Sequence, residues 1–183
     1  MRKTVLAEFN NNQYEPGAPF PVRAIWYMVN SVFFISHFPF ISFKIFLLRI
    51  FGAKIGAGLV IKQNVNIKYP WKLKIGNHCW IGEGAWIDNL DEVVVGDNSC
   101  ISQGALLLCG NHNYKKPSFD LITSKIILED GVWLGAKSVV CGGVTCKSHS
   151  VLSVGSVAVT DLETYSIYQG NPASKIRDRE IRE

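Results

Sequence analysis

Small or aliphatic side chains recur at every sixth position over most of the chain. The series has fifteen positions, which fall into triplets with longer steps between them. They are Ile55, Ile61, Ile67, Ile75, Ile81, Ile87, Val95, Ile101, Leu107, Leu128, Leu134, Val140, Cys146, Leu152 and Ala158. A period of six fits neither an α-helix, with about 3.6 residues per turn, nor a strand whose side chains simply alternate. It fits a prism in which every sixth side chain points inward and three hexads complete one coil.

The triplets predict an all-β solenoid of about five coils. The longest break in the series lies between Leu107 and Leu128, where residues 108–127 contain polar residues, glycine and proline. A simple connection between coils does not need that length. We therefore expect a protruding loop at 108–127, and loops held by a rigid scaffold often carry function.

Residues 24–51, ahead of the repeat, are the most apolar part of the chain. His37 and Pro39 divide this segment and Lys44 follows, so neither stretch reaches the ~20 apolar residues that a membrane span needs. The pattern predicts helices with one of two roles. They cap the open end of the solenoid, or they form an amphipathic surface that contacts a membrane.

We favour the capping role, because an open solenoid end exposes its aliphatic column and unpaired backbone groups. This role predicts that five side chains face the first coil near Ile55. They are Phe33, Phe34, Phe40, Phe43 and Leu47.

Composition narrows the functional classes. A chain that is 48% hydrophobic and 19% charged is not disordered, and 183 residues correspond to one domain. The net charge of +4 is not concentrated in a Lys/Arg cluster, which argues against nucleic acid as a partner. An odd number of cysteines, five, and a polar N-terminus without an apolar leader favour a cytoplasmic location. The membrane role of residues 24–51 would place the protein at the inner face of the membrane.

Aliphatic-glycine hexads such as Ile75-Gly76 and Val95-Gly96 resemble those of the hexapeptide-repeat acyltransferases over roughly residues 52–175. Further segments are similar to the sugar O-acetyltransferases of the colanic-acid and capsule type, relatives of the galactoside and maltose acetyltransferases. These segments are 38–40, 47–56, 86–90 and 100–105.

The resemblance implies a left-handed parallel β-helix with three parts. They are an N-terminal helical cap at 1–52, the β-helix with its protruding loop at 53–160, and a C-terminal tail with a short helix at 161–183. It also implies a homotrimer that uses acetyl-CoA as co-substrate, requires no metal, and shares each donor groove between neighbouring subunits.

His112 is the candidate general base. It lies near the start of the protruding loop, where the catalytic histidine of the resembled family is found. A neutral imidazole can take the proton of a sugar hydroxyl as its oxygen attacks the acetyl thioester. Cys109, three residues earlier, leaves open a Cys–His nucleophilic pair, although the family works through a ternary complex and needs no cysteine there.

The resemblance also places a coenzyme site on the last coils and tail. Backbone N–H groups at Gly135 and Ala136 are candidate oxyanion donors. Trp133 either lines the pantetheine channel or fills a corner of the solenoid. Lys175 and Arg177 either contact the coenzyme phosphates or are solvated cations on a C-terminal helix. The full expected set is Trp133, Gly135, Ala136, Val154, Thr160, Lys175 and Arg177.

The acceptor site is less defined. Asp88 and Asn89, after the inward Ile87, are the nearest polar groups that could orient the base or hold a sugar hydroxyl. Galactoside-type relatives carry an asparagine at the position that corresponds to Gly82 here. The acceptor sugar, and whether it is free, nucleotide-linked or lipid-linked, stays open.

The favoured function is an acetyl-CoA-dependent O-acetyltransferase acting on a saccharide in surface polysaccharide biosynthesis. One alternative is a zinc carbonic anhydrase of the same fold, which needs three histidines at a subunit interface, two of them five residues apart. Pro117 occupies the position five residues after His112. A non-catalytic assembly scaffold is the other alternative.

Overall fold

The six-residue period becomes a three-sided parallel β-solenoid in the computed structural model, which describes residues 3–182. The first coil contains β1 (Lys54–Ile55), β2 (Val60–Ile61) and β3 (Asn66–Ile67). The second contains β4 (Leu73–Ile75), β5 (Trp80–Ile81) and β6 (Trp86–Asp88), and the third β7 (Val93–Val95), β8 (Cys100–Ile101) and β9 (Leu106–Leu108).

An antiparallel hairpin, β10 (Gly110–His112) and β11 (Leu121–Thr123), interrupts the solenoid after the third coil. The fourth coil contains β12 (Ile126–Leu128), β13 (Trp133–Leu134) and β14 (Val139–Cys141), and the fifth β15 (Thr145–Cys146), β16 (Val151–Leu152) and β17 (Val157–Ala158). A partial sixth turn holds β18 (Ser166–Gly170) and β19 (Ala173–Asp178). The expected count of about five is therefore short by this partial turn.

The three sides of the prism are parallel sheets whose register stacks the predicted inward positions. Ile55 pairs with Ile75, and Ile75 pairs with Val95, on successive coils of one sheet. Fourteen of the fifteen predicted positions are buried, and Ile55, in the first strand, is partly buried. The predicted aliphatic column is confirmed, because a side chain at every sixth residue meets the same inner wall in each coil.

The predicted C-terminal helix is wrong. β18 pairs in parallel with β16, and β19 turns back to pair with β18 antiparallel. The edge of β16 would otherwise present unpaired N–H and C=O groups at the end of the solenoid, and the hairpin satisfies those groups.

The N-terminal segment forms two helices, α1 (Phe20–Val29) and α2 (Ile41–Ile50), with a π-helical turn at Asn30–Phe34 between them. Short 3₁₀ turns occur at Leu6–Glu8 and Pro70–Lys72. No helix within residues 3–182 is long and apolar enough to cross a bilayer.

The helices cover the first coil with a few side chains that combine apolar packing and hydrogen bonding. Trp26, Phe34 and Leu48 are buried in the core. The Trp26 indole N–H donates to the Ile67 carbonyl at 2.9 Å. Buried Lys44 donates from Nζ to the Lys62 carbonyl at 3.0 Å, and burial lowers the pKa of this amine. Polar backbone groups at the open end of the solenoid thus find partners in the helices.

The residues expected to face the first coil are partly wrong. Phe34 is fully buried and Phe33 and Leu47 pack against the core, but Phe40 and Phe43 are exposed. On α2 the inward face carries Lys44 and Leu48, which are four residues apart and therefore share one side of the helix.

Candidate functional site

His112 ends β10 and lies opposite Leu121 of β11. Its Nδ1 lies 2.8 Å from the carbonyl oxygen of Phe119, and its ring stacks on the Phe119 ring at a centroid distance of 4.4 Å. Because a carbonyl oxygen only accepts hydrogen bonds, Nδ1 carries the proton in the neutral ring. The lone pair on Nε2 is then available to accept a proton from a substrate.

Phe119 holds its carbonyl towards His112 from a backbone conformation that bulky residues rarely adopt, with φ at 52°. Such strain persists only where the surrounding structure maintains it, and it is concentrated at functional sites. Sequence analysis missed Phe119, because its side chain gives no local sign of the turn that the loop makes there.

Residues 5–14, which precede the two helices, lie across the same hairpin. The backbone N–H of Val5 donates to the Pro117 carbonyl at 2.8 Å, and the Phe9 ring is 5.8 Å from the His112 ring. Residues 5–14 carry no motif that would have signalled this contact. The pairing joins parts of the chain about one hundred residues apart, which sequence periodicity cannot detect.

A cavity of about 300 Å³ lies between this segment and the hairpin. One of the residues that line it is Leu121, which lies opposite His112 on the hairpin. Its other lining residues are Asn10, Asn11, Gln13, Tyr14, Lys116, Asp120 and Thr123. Amides, hydroxyls and a carboxylate are groups that can exchange hydrogen bonds with sugar hydroxyls. We call it the polar cavity.

Asp88 and Asn89, expected to bind the acceptor, are both buried. Asn89 is fully buried, and its amide accepts from the Tyr69 N–H at 2.9 Å and donates to the Tyr69 carbonyl at 2.6 Å. This amide links two neighbouring coils, so it is not free to meet a sugar. Oδ1 of Asp88 lies 3.2 Å from Nζ of Lys68. That ion pair balances the buried carboxylate next to the point where the hairpin leaves the solenoid.

Gly82 is part of the wall between coils. A Cβ atom there would lie 2.6 Å from the backbone nitrogen of Gln103, so no asparagine fits without moving the next coil. The glycine is explained by this close approach, and the position is unsuited to presenting a side chain to an acceptor.

Gly135 is likewise a packing position. Its N–H donates to the Leu152 carbonyl at 2.7 Å, and a Cβ atom on it would lie 2.6 Å from the backbone nitrogen of Val154. An N–H that is already committed to the neighbouring coil does not stabilise an oxyanion. Of the two backbone N–H groups expected to stabilise the oxyanion, that of Ala136 is the remaining candidate.

Trp133 is about half exposed, and its indole N–H donates to the Ser102 hydroxyl at 3.0 Å. Its side chain therefore lies on the outer surface of the sheet rather than inside a corner. Val154 and Thr160 are also exposed.

The structure brings Trp133 and Arg177 to one row of one sheet. Trp133 pairs with Val151, Val151 with Ile167, and Ile167 with Arg177. Three strand spacings separate the ends of this row, about 14 Å. This row is long enough for an extended ligand to lie along it.

Lys175 and Arg177 are exposed on β19 rather than on a helix. Nζ of Lys175 lies 2.7 Å from Oδ1 of Asp178, and this hydrogen bond raises the pKa of the amine. A phosphate that binds Lys175 has to compete with the carboxylate of Asp178.

Cys109 is buried beside the hairpin, and burial raises the pKa of its thiol to about 11. The thiol is the nucleophile only when it is ionised, and at neutral pH it is protonated. The Cys–His pair left open by the sequence is therefore disfavoured. Within residues 3–182 no three His, Cys, Asp or Glu side chains converge to hold a metal ion.

Comparison with known proteins was made on sequence and on structure. No protein-family model matches the chain. WcaF of Escherichia coli (strain K12), assigned to colanic acid biosynthesis as an acetyltransferase, is 33% identical over 166 residues, 91% of each chain. A hexapeptide-repeat acetyltransferase of Vibrio cholerae, VCA0836, complexed with acetyl coenzyme A, superposes with a TM-score of 0.80 at 21% identity, covering 88% of both chains. A maltose O-acetyltransferase of Clostridium difficile 630 gives 0.79 at 19% identity, also covering 88% of both.

Proposed function

The chain belongs to the hexapeptide-repeat acetyltransferases, and we propose that it transfers acetyl from acetyl-CoA to a saccharide hydroxyl in surface polysaccharide biosynthesis. One observation carries the proposal. His112 has its Nδ1 proton engaged by the Phe119 carbonyl, and Leu121, which lies opposite His112 on the hairpin, lines a polar cavity of about 300 Å³. The sequence identity of 33% to WcaF, which covers 91% of both chains, supports the biosynthetic context.

The chemistry assigned to His112 is general base catalysis. Nε2 takes the proton of the acceptor hydroxyl while the oxygen attacks the thioester carbonyl. The tetrahedral intermediate then collapses, the C–S bond breaks, and the imidazolium returns the proton to the departing thiolate of coenzyme A. Donor and acceptor are bound together, with no acyl-enzyme, which agrees with the protonated state of Cys109.

In this proposal the acceptor binds in the polar cavity and does not contact Asp88 or Asn89, which are buried. Asn10, Asn11 and Gln13 supply amides that can both donate to and accept from sugar hydroxyls. The donor lies along the outer row that contains Trp133 and Arg177, with Ala136 as the oxyanion donor and Lys175 and Arg177 near the phosphates. An acceptor joined to a lipid or a nucleotide is compatible with this arrangement.

Thiol release tests the function. Purified protein with acetyl-CoA should release free thiol only when a suitable saccharide from a panel of free, nucleotide-linked and lipid-linked sugars is added. Gln13→Ala should raise the acceptor KM several-fold and leave coenzyme binding unchanged, because Gln13 lines the polar cavity and not the outer row. Release of thiol without any acceptor, or a Gln13→Ala enzyme with an unchanged acceptor KM, would contradict the acceptor assignment.

The assembly proposed is a homotrimer with a donor groove between neighbouring subunits. Three tryptophans on the outer faces support a subunit interface, since exposed aromatic side chains are enriched at such surfaces. They are Trp80, 59% exposed, Trp86, 44% exposed, and Trp133, 48% exposed. Light scattering on the purified protein should give about three times the 20.4 kDa of one chain. A stable, active monomer would refute the shared groove.

A further inference from the structure

The two N-terminal helices are apolar on the side that faces away from the solenoid. Six side chains on this outer side are each more than half exposed. They are Tyr27, Met28, Val32, Phe40, Phe46 and Ile50, which we call the outer apolar face. Trp26, Phe34 and Leu48 already fill the side against the first coil, so the outer apolar face has no partner within the described chain.

Aromatic rings link the π-helical turn to α2 beside the outer apolar face. The Phe33 ring contacts Phe38 and Phe43 at centroid distances of 5.1 Å and 5.2 Å. Phe38 contacts Phe40 at 5.3 Å, and Phe43 reaches Phe46 at 6.3 Å. This aromatic cluster joins the end of the π-helical turn to α2.

Charge is distributed unequally along the prism. Residues 16–82, which form the helices and most of the first two coils, contain eight Lys and Arg and no Asp or Glu. Residues 83–183 contain nine Lys and Arg against thirteen Asp and Glu, a net charge of −4. The acidic excess lies in residues 83–130, which contain three Lys against eight Asp and Glu, whereas residues 131–183 have a net charge of +1.

Of the eight cations, Lys44 is buried, and Lys68 and Lys74 pair with Asp88 and Glu92. Because successive coils advance along the axis, the end that carries the outer apolar face remains basic through exposed cations such as Lys54 and Lys62.

We propose that this end of the protein binds peripherally to the surface of an anionic lipid bilayer. The outer apolar face enters the boundary between headgroups and acyl chains, and exposed cations of the first coil, Lys54 and Lys62, lie against headgroup phosphates. The inference goes beyond the acetyl-transfer proposal and does not depend on it.

A second copy of the chain fits this surface less well. Two basic ends brought face to face repel each other, whereas an anionic bilayer is complementary to both the charge and the apolar side chains. A nucleic acid would be attracted by the cations but would leave the outer apolar face unburied.

Vesicle flotation with the full chain tests the proposal. The protein should float with vesicles of phosphatidylglycerol and phosphatidylcholine and stay behind with vesicles of phosphatidylcholine alone. The variant Met28→Ser/Val32→Ser/Ile50→Ser should bind the anionic vesicles at least tenfold more weakly, and Lys54→Glu/Lys62→Glu should weaken binding in a manner that added salt reproduces. Ile181→Ser is the matched control, because Ile181 is 60% exposed and Ile50 is 61% exposed. It should bind like the unaltered protein.

Two results would overturn the proposal. One is unaltered protein that does not distinguish anionic from neutral vesicles. The other is a triple-serine variant that binds anionic vesicles normally but loses a concentration-dependent association seen by light scattering, which would assign the outer apolar face to a second copy. Thermal unfolding of each variant shows whether it is folded. If the triple-serine variant does not fold, Lys54→Glu/Lys62→Glu tests the proposal, because this charge reversal removes no apolar contact.

Discussion

Replacing His112 by alanine should lower kcat for acetyl transfer by about 10²–10⁴-fold, the range expected if the proposed general base is removed. The loss falls on the chemical step, because the residues proposed for the coenzyme lie on the outer sheet and not on the hairpin. Titration calorimetry with coenzyme A should therefore give an unchanged affinity for the variant. Thiol release under saturating acetyl-CoA and acceptor measures the change in kcat.

His37→Ala is the matched control. His37 is exposed in the N-terminal segment, between the two helices, and the same substitution there should leave kcat unchanged. A His112→Ala enzyme that acetylates the acceptor at nearly the normal rate would show that another group takes the hydroxyl proton. An equal loss in both variants would point to a general effect on folding.

Replacing Trp26 by alanine lowers the free energy of unfolding by about 3–5 kcal/mol, the usual range for a large buried aromatic side chain. Trp26 is 2% exposed and lies 5.3 Å from the Phe34 ring and 5.1 Å from the Phe51 ring, measured between centroids. Its removal leaves a cavity between α1 and the first coil. It also leaves the Ile67 carbonyl without its indole donor, which adds to the cost.

Urea unfolding at one fixed chain concentration measures this change, since any subunit association makes stability depend on concentration. Tyr27→Ala is the control: Tyr27 is the next residue of α1 and is 73% exposed. Its loss should change the free energy of unfolding by less than about 0.5 kcal/mol. Equal destabilisation by the two substitutions would show that the helix does not cap the solenoid through its inner face.

The solenoid was predictable because its signal is repeated. Each coil directs a side chain such as Ile81 or Ile101 to the same inner wall, so the same six-residue spacing recurs many times along the sequence. The C-terminal hairpin was not predictable in this way. Residues 173–178 lie outside the six-residue series, and their strand conformation follows from the free edge of β18 that they cover.

The N-terminal helices show the limit of periodicity in a segment that is apolar all round. Almost any face of such a helix can be taken as the buried one. Phe40 and Phe43 were expected inside and are exposed, and Lys44 is buried because a carbonyl of the first coil is within reach of its amine. Packing against the coil selected the face.

For the candidate site, the interrupted repeat and the position of the loop along the chain are enough to predict His112 as the candidate base. The Phe119 carbonyl at Nδ1, the Phe9 ring beside His112 and the polar cavity became visible only in the folded chain. The same is true of the hydrogen bonds that the side-chain amide of Asn89 and the backbone N–H of Gly135 make to neighbouring coils. The physical reason is the same in each case. Which side chains are inward depends on a period that the sequence carries, whereas the partner of each polar group depends on distances between segments that are remote in the chain.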